Sequence, residues 1–443
     1  MHITRRTLTT WALAGALTAL PVATSAHAAP TSDPALAAAG WLAGRIDAQG
    51  FIPAQSGPDR NGTALAVLAL GAARVGGDAV DRATSALAGS VDGYVRDSSG
   101  ADRPAALGTL IQVAVVTGRD PRTFGGTDLV ARLLATKRTS GPDAGLFGVQ
   151  DPAFDGAYRQ SVALLGLDAA GLSDPDAVSW LTRQQCPDGG WQAYRADLTA
   201  PCAPTNTTTF TGEDTNSTAI AAQALAALGV TPTASPLGFL DATQNTDGGF
   251  GFLAGTATDA NSTSLAIQAI IALGEDPLAG RWTDADGDTP RAALLRLQLG
   301  CSAPAAERGA FAYQPETDGS LSPNVLATVQ VVPALTGTPY PVPRAAISRE
   351  VPTLQCAGAA PATPAPTRSP TEPDPPPANP GPPPLVMVDA PAVDADGQPI
   401  LPVNGGPGTP PWDTTGLAVF GLGLIGYGVL ALGAARRLGR VRS

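Results

Sequence analysis

The chain alternates two kinds of apolar stretch. In one, apolar residues recur at helical spacing among polar ones, as around Trp41-Leu42, Trp180-Leu181 and Phe239-Leu240. The other is apolar on every side: Ala219–Leu228 carries one polar side chain, Gln223. A helix with one apolar face lies on a surface, whereas a helix apolar all round is buried. Between the two stretches comes a turn rich in Asp and Gly that ends in an aromatic residue. Glycine in that turn supplies the positive φ that ends a helix. Asp, Asn, Ser and Thr ahead of the second stretch are N-cap residues. The pattern predicts a helical hairpin with one exposed and one buried helix.

The hairpin recurs six times. Two copies are clearest. Gln185-Cys186-Pro187-Asp188-Gly189-Gly190-Trp191 precedes Asp214-Thr215-Asn216-Ser217-Thr218, and Gln244-Asn245-Thr246-Asp247-Gly248-Gly249-Phe250 precedes Asp259-Ala260-Asn261-Ser262-Thr263. The turn aromatics Phe51, Tyr94, Phe147, Trp191, Phe250 and Phe311 fall 43 to 61 residues apart. One hairpin cannot bury its apolar face alone, so such units stack. Six of them closed on themselves predict an all-α fold: a ring of inner helices wrapped by outer ones.

Gln185-x₃-Gly189-x-Trp191 and Gln244-x₃-Gly248-x-Phe250 resemble the Q…G-x-W element of the prenyltransferase and squalene–hopene cyclase repeat. The resemblance covers about Asp33 to Pro341 and implies an (α/α)₆ toroid. It is shared with triterpene cyclases, protein prenyltransferase β subunits and the α domain of the cobalamin carriers intrinsic factor and transcobalamin. It implies a structural role for Gln185, Trp191, Gln244 and Phe250, tying outer helices to turns.

The ends read differently. Residues 1–28 have the form of an export signal: Arg5 and Arg6, an apolar run from Trp11 to Val22, and small residues around Ala26-His27-Ala28. Thr4-Arg5-Arg6-Thr7-Leu8 also fits a twin-arginine signal, and both routes stay open. Residues 357–415 are crowded with proline and read as an extended stalk. Gly416–Ala435 has no charged residue and is long enough to cross a membrane, and the basic tail 436–443 has the cationic flank of a cytoplasmic side. Leu401-Pro402-Val403-Asn404-Gly405 has the position of a sortase signal but carries Asn404 where Thr is usual. The expected protein is therefore an exported toroid, residues 29–356, held at the cell surface by a membrane helix.

This division changes what composition allows. Both histidines, His2 and His27, fall in the signal, so the mature chain has none. Ser-His-Asp, Cys-His and histidine-base chemistry are excluded. Without the two signal arginines and the four of the tail, 21 basic residues face 38 acidic ones, a net charge of −17. That balance argues against nucleic acid as a partner. Four cysteines in an oxidising compartment suggest two disulfides, with three possible connectivities. Spacing favours Cys186–Cys202 and Cys301–Cys356; the alternative, zinc, lacks any C-x₂-C pair.

The chemistry of each relative can be tested. A terpene cyclase of this repeat family needs a D-x-D-D acid; none occurs, and Asp284-x-Asp286-Gly287-Asp288 is nearest. The same acidic loop lacks the Gly and Glu positions of an EF-hand and reads as a solvated turn. A prenyltransferase zinc site needs Asp, Cys and His. Carboxylate-pair hydrolysis survives only as a possibility with no placed pair. The remaining constellation is Asp59-x-Asn61-x-Thr63, Asp214-x-Asn216-x-Thr218 and Asp259-x-Asn261-x-Thr263, with Tyr158-Arg159-Gln160 at the matching point of the third unit. In a toroid these N-termini converge on one rim, suited to a polar or anionic ligand. The expected ligand contacts are Asn61, Thr63, Tyr158, Arg159, Gln160, Asn216, Thr218, Asn261 and Thr263. The expectation is a non-enzymatic carrier that needs no metal, capturing a corrinoid or similar large amphipathic molecule for a membrane importer. An isoprenoid cyclase or transferase and a surface scaffold are the alternatives. The carriers complete their site with a β-rich second domain, whereas a proline stalk follows here.

Overall fold

The computed structural model describes residues 28–284 and 286–356. Residues 1–27 of the expected export signal, the sortase-like segment, the expected stalk, the expected membrane helix and the basic tail lie outside the described residues. Among the described residues no helix is long and apolar enough to cross a membrane.

The helices run in order α1 (Pro34–Arg45), α2 (Arg60–Ala73), α3 (Gly77–Ala88), α4 (Val91–Val95), α5 (Pro104–Val116), α6 (Leu129–Ala135) and α7 (Gly156–Ala169). There follow α8 (Pro175–Arg183), α9 (Thr215–Ala227), α10 (Pro236–Thr243), α11 (Ala260–Ala272), α12 (Pro290–Leu295) and α13 (Val325–Thr336). Contacts trace a closed circuit: α2 packs on α5, α5 on α7, α7 on α9, α9 on α11, α11 on α13, and α13 back on α2. Outside that circuit α3 lies on α2, α6 on α5, α8 on α7, α10 on α9, α12 on α11, and α1 on α13 and α2. The fold is the helical toroid that the repeat predicts. The inner helices are buried on nearly every side, as α9 shows from Thr215 to Leu225. Their N-caps are those read from sequence: Asp59, Asp214 and Asp259 accept from the backbone N–H of Gly62, Ser217 and Ser262.

The element beyond the six hairpins is α4, a short helix that holds Tyr94, which the pattern placed in a turn. Short strands also qualify the all-α expectation: β1 (Ala28–Thr31), β2 (Ile52–Ala54), β3 (Gly57–Asp59) and β4 (Val351–Leu354). β2 and β3 form an antiparallel hairpin, and β1 runs parallel to β4.

The first and last parts of the ring must meet at a seam, and several ties hold it. β4 lies against α1 so closely that a Cβ on Gly40 would sit 1.6 Å from the Pro352 carbonyl oxygen. The Gln298 side chain donates to the carbonyl oxygen of Pro34 at 3.0 Å, joining the sixth unit to the first helix. Gln185 and Gln244 make the same kind of tie within the ring: Gln185 Nε2 donates to Ala234 O, and Gln244 Nε2 to Trp282 O. Gln298 therefore belongs to the same structural set, which sequence spacing alone did not reveal.

Both disulfides form as the spacing favours, Cys186–Cys202 and Cys301–Cys356, and no cysteine is free. Among the described residues the single metal-like grouping is this first pair with Glu213. Its sulfurs are committed to each other, so the zinc alternative is set aside. Two disulfides accord with an oxidising compartment. Cys301–Cys356 closes a separation of 55 residues across the seam. In the chain-entropy model a loop of that length is worth about 4 kcal/mol. A Cys301→Ser/Cys356→Ser double variant is expected to lose most of that amount in urea unfolding, with the toroid's helical circular dichroism retained.

Candidate functional site

The N-terminal ends of three inner helices gather around one cavity of about 280 Å³. Helix α7 contributes Asp155, its N-cap, and Tyr158; α9 contributes Asp214, its N-cap, and Ser217; α13 contributes Leu326 and Gln330. Phe252 enters from the turn ahead of α11. The opposite wall comes from the long connection between α8 and α9, through Gln192, Ala193, Tyr194, Ala203, Phe210, Thr211 and Gly212, and Ala153 and Phe154 complete the rim.

That connection has little regular structure, and its form is set by local ties. The Cys186–Cys202 disulfide anchors it beside the turn that ends in Trp191. Asn206 and Thr211 exchange backbone hydrogen bonds across its tip. Phe210 lies at φ 52°, in the left-handed region, which costs on the order of 1 kcal/mol or more for a non-glycine residue. The fold holds Phe210 there, against the cavity.

The lining combines five aromatic rings, from Phe154, Tyr158, Tyr194, Phe210 and Phe252, with two carboxyl groups and no lysine or arginine. Asp155 pairs with Arg159, whose guanidinium lies 3.5 Å away. Burial lowers the pKa of that guanidinium. Asp214 is buried, with Oδ1 accepting from the Ser217 N–H at 2.6 Å. Desolvation outweighs that bond and raises its carboxyl to about pH 7. Burial, with Asp214 as the lesser cause, pushes the Tyr158 phenol up to about 12. Gln330 is 6% exposed, and its Oε1 has no hydrogen-bond partner among the described residues.

Most of the residues expected at the rim are used inside the repeat. Thr63, Thr218 and Thr263 accept from the backbone N–H groups of Ile52, Trp191 and Phe250, at 2.9, 2.9 and 3.0 Å. Gln160 does the same for Phe147 at 2.9 Å and donates to Gly145 and Ala177. In these four units a side chain near the inner-helix N-terminus thus ties the turn to its own helix, an order that the Asp-x-Asn-x-Thr triplets encode in three of them. Asn61 accepts from the Tyr94 hydroxyl at 2.9 Å. Asn216 and Asn261 are buried at 1% and 2% exposure, each with an Oδ1 that has no partner among the described residues. Of the nine residues, Tyr158 lines the cavity and Arg159 lies behind it on Asp155. Asp284 accepts from the N–H groups of Asp286 and Asp288, in keeping with a turn.

Phe154, Tyr194, Phe210, Phe252, Asp214 and Gln330 are the site residues that sequence reasoning did not assign. Asp214 carried a signal, as a cap, but no sign that it faces a cavity. The aromatics come from connections of irregular spacing, where periodicity has no purchase.

No protein-family model matches the sequence, and no curated protein matches it. Solved structures do resemble it. Type II terpene cyclase MstE from Scytonema, in its apo form, is 15% identical, with 69% of this chain and 97% of that chain covered and a TM-score of 0.44. ent-Copalyl diphosphate synthase from Streptomyces platensis is 19% identical, covering 62% and 50%, at 0.37. Protein geranylgeranyltransferase-I from Candida albicans is 13% identical, covering 55% and 69%, at 0.37. The structural neighbours are thus terpene cyclases and prenyltransferases, while the closed circuit of helices is this chain's own demonstration of the toroid.

Proposed function

We propose that the protein captures a small, mostly apolar molecule of the isoprenoid class in the cavity at the ring's mouth. The observation that carries this is the lining: five aromatic rings around about 280 Å³, with few polar groups converging on it. Ligand sites generally combine such apolar walls with a few placed polar groups, and this volume lies near the small end of their range of about 300–1,000 Å³. A corrinoid is far larger than the cavity and would have to lie across the rim. The buried rim side chains of Asn216 and Asn261 offer it little contact.

Capture is favoured over cyclisation by the acid available. Protonating an alkene takes an unusually strong carboxylic acid, and desolvation makes Asp214 weaker than an ordinary aspartate. Its carboxyl instead serves as a hydrogen-bonding group in an apolar wall. We further propose that the toroid works outside the cell, exported by residues 1–28 and tethered by 416–435.

The test is a thermal-shift screen of the full-length chain with geraniol, farnesol, geranylgeraniol and cobalamin, followed by mass spectrometry of the extracted prenyl alcohols. A ligand that binds only the folded state raises the melting temperature. The expected result is a shift with one or more prenyl alcohols, which are recovered unchanged. A shift with cobalamin alone would replace this reading with the carrier, and cyclised products would make the protein an enzyme. Silence from every ligand would leave the surface scaffold.

A further inference from the structure

We propose that the molecule bound in the cavity is an organic cation: an apolar body ending in a protonated or quaternary amine. This rests on the isoprenoid-site reading above and adds the charge of the ligand's head.

The charge inventory of the lining comes first. Asp155 and Asp214 face the cavity, and no lysine or arginine does. Arg159, the cation behind the wall, is directed to Asp155 and, at 3.4 Å, to the Gln150 side chain. A diphosphate or other anionic head placed here would meet carboxyl groups and find no cationic partner. The convergence of helix N-termini had suggested an anionic ligand, but at α9 and α13 the capping side chains of Asp214 and Asn324 take the N–H groups of Ser217 and Ala327, and the carboxyl of Asp155 stands at the start of α7.

Other features of the site favour positive charge. Tyr158, Tyr194, Phe210 and Phe252 line the cavity, and aromatic rings attract ammonium groups through their quadrupole; caged cations of this kind are a recurrent ligand class. Gln330 provides the independent sign. The residue lines the cavity, and its buried Oε1 has no donor among the described residues. An unsatisfied buried acceptor is costly, and a ligand N–H would satisfy it. Beyond the cavity, the exported portion is strongly acidic, a field that draws cations toward the mouth.

The experiment is isothermal titration of the full-length chain at about pH 8, where Asp214 is largely ionised, with three probes on one C10 skeleton. They are geraniol, geranylamine and geranyl diphosphate. Geranylamine is expected to bind about tenfold or more tighter than geraniol, and geranyl diphosphate weaker than both. Asp214→Asn and Gln330→Leu should each reduce the amine-to-alcohol ratio. Asn at position 214 still caps α9, and Gln330 lies on a different helix, so a folding defect in one variant leaves the other as the test. Equal or weaker binding of the amine overturns the proposal while leaving the isoprenoid reading in place. An amine preference that persists in both variants overturns it as well. If neither geraniol nor geranylamine binds, this proposal fails, and the farnesol and geranylgeraniol arms of the thermal-shift screen decide the isoprenoid reading.

Discussion

Trp191→Ala is expected to cost about 3–5 kcal/mol of unfolding free energy, the usual range for removing a buried large aromatic. Trp191 is wholly buried, and its indole N–H donates to the Leu181 carbonyl at 2.9 Å. Its backbone N–H is held by Thr218, so the residue joins the outer helix, the turn and the inner helix of one unit. Against a typical total of about 5–15 kcal/mol, the loss is a large share. The repeat supplies an internal control. Phe147, Phe250 and Phe311 occupy the matching turns, and all are fully buried. Trp191→Phe should therefore be much milder, losing the indole hydrogen bond and some volume. Urea unfolding of the two variants checks this; similar losses for Phe and Ala would mean that the ring's packing is not what the position supplies.

Acidification toward about pH 4 is expected to stabilise the toroid through Asp214 and Asp259. Both carboxyls are raised from 3.8 to about 7, first of all by desolvation. Between those two values the native state holds protons that the unfolded chain has released, so stability falls as pH rises. The contribution is fully present below 3.8, is lost through about pH 7, and is flat above it. At about 1.4 kcal/mol per unit, each group accounts for at most roughly 4 kcal/mol. The exposed Asp92 and Asp97 are lowered by their hydrogen bonds to Arg132 and Ser99, and they act in the opposite sense at more acidic pH. Asp259→Asn keeps the N-cap and mimics the neutral acid. It should match wild type near pH 4 and be more stable near pH 8. Melting temperatures of wild type and variant across that range decide it; a variant less stable at pH 8 would show that the ionised carboxylate supports the fold.

Much of the architecture was legible locally. Asp214-x-Asn-x-Thr and Asp259-x-Asn-x-Thr marked two inner-helix starts, and the structure finds the caps at those aspartates. Gly189 marked the turn before Trp191. It lies at φ 102°, and a Cβ there would come within 2.1 Å of the Ser235 carbonyl oxygen, where the next outer helix begins. Such constraints act over a few residues and leave a residue-type signature. Gln298 left none, because its partner is Pro34, 264 residues away across the seam.

The candidate site was less legible. The triplets drew attention to Thr218 and Thr263, but a hydroxyl near a helix start is equally suited to holding a turn as to meeting a ligand. The structure gives the first use to both. The sequence by itself determined the repeat, the helix types and the caps, since each depends on composition or short-range spacing, and it favoured the disulfide pairs. Tertiary structure alone decided which residues face the cavity. Phe154, Phe210, Phe252 and Gln330 are brought to one cavity by the curvature of a closed ring, and that curvature is a property of six packed hairpins together rather than of any one.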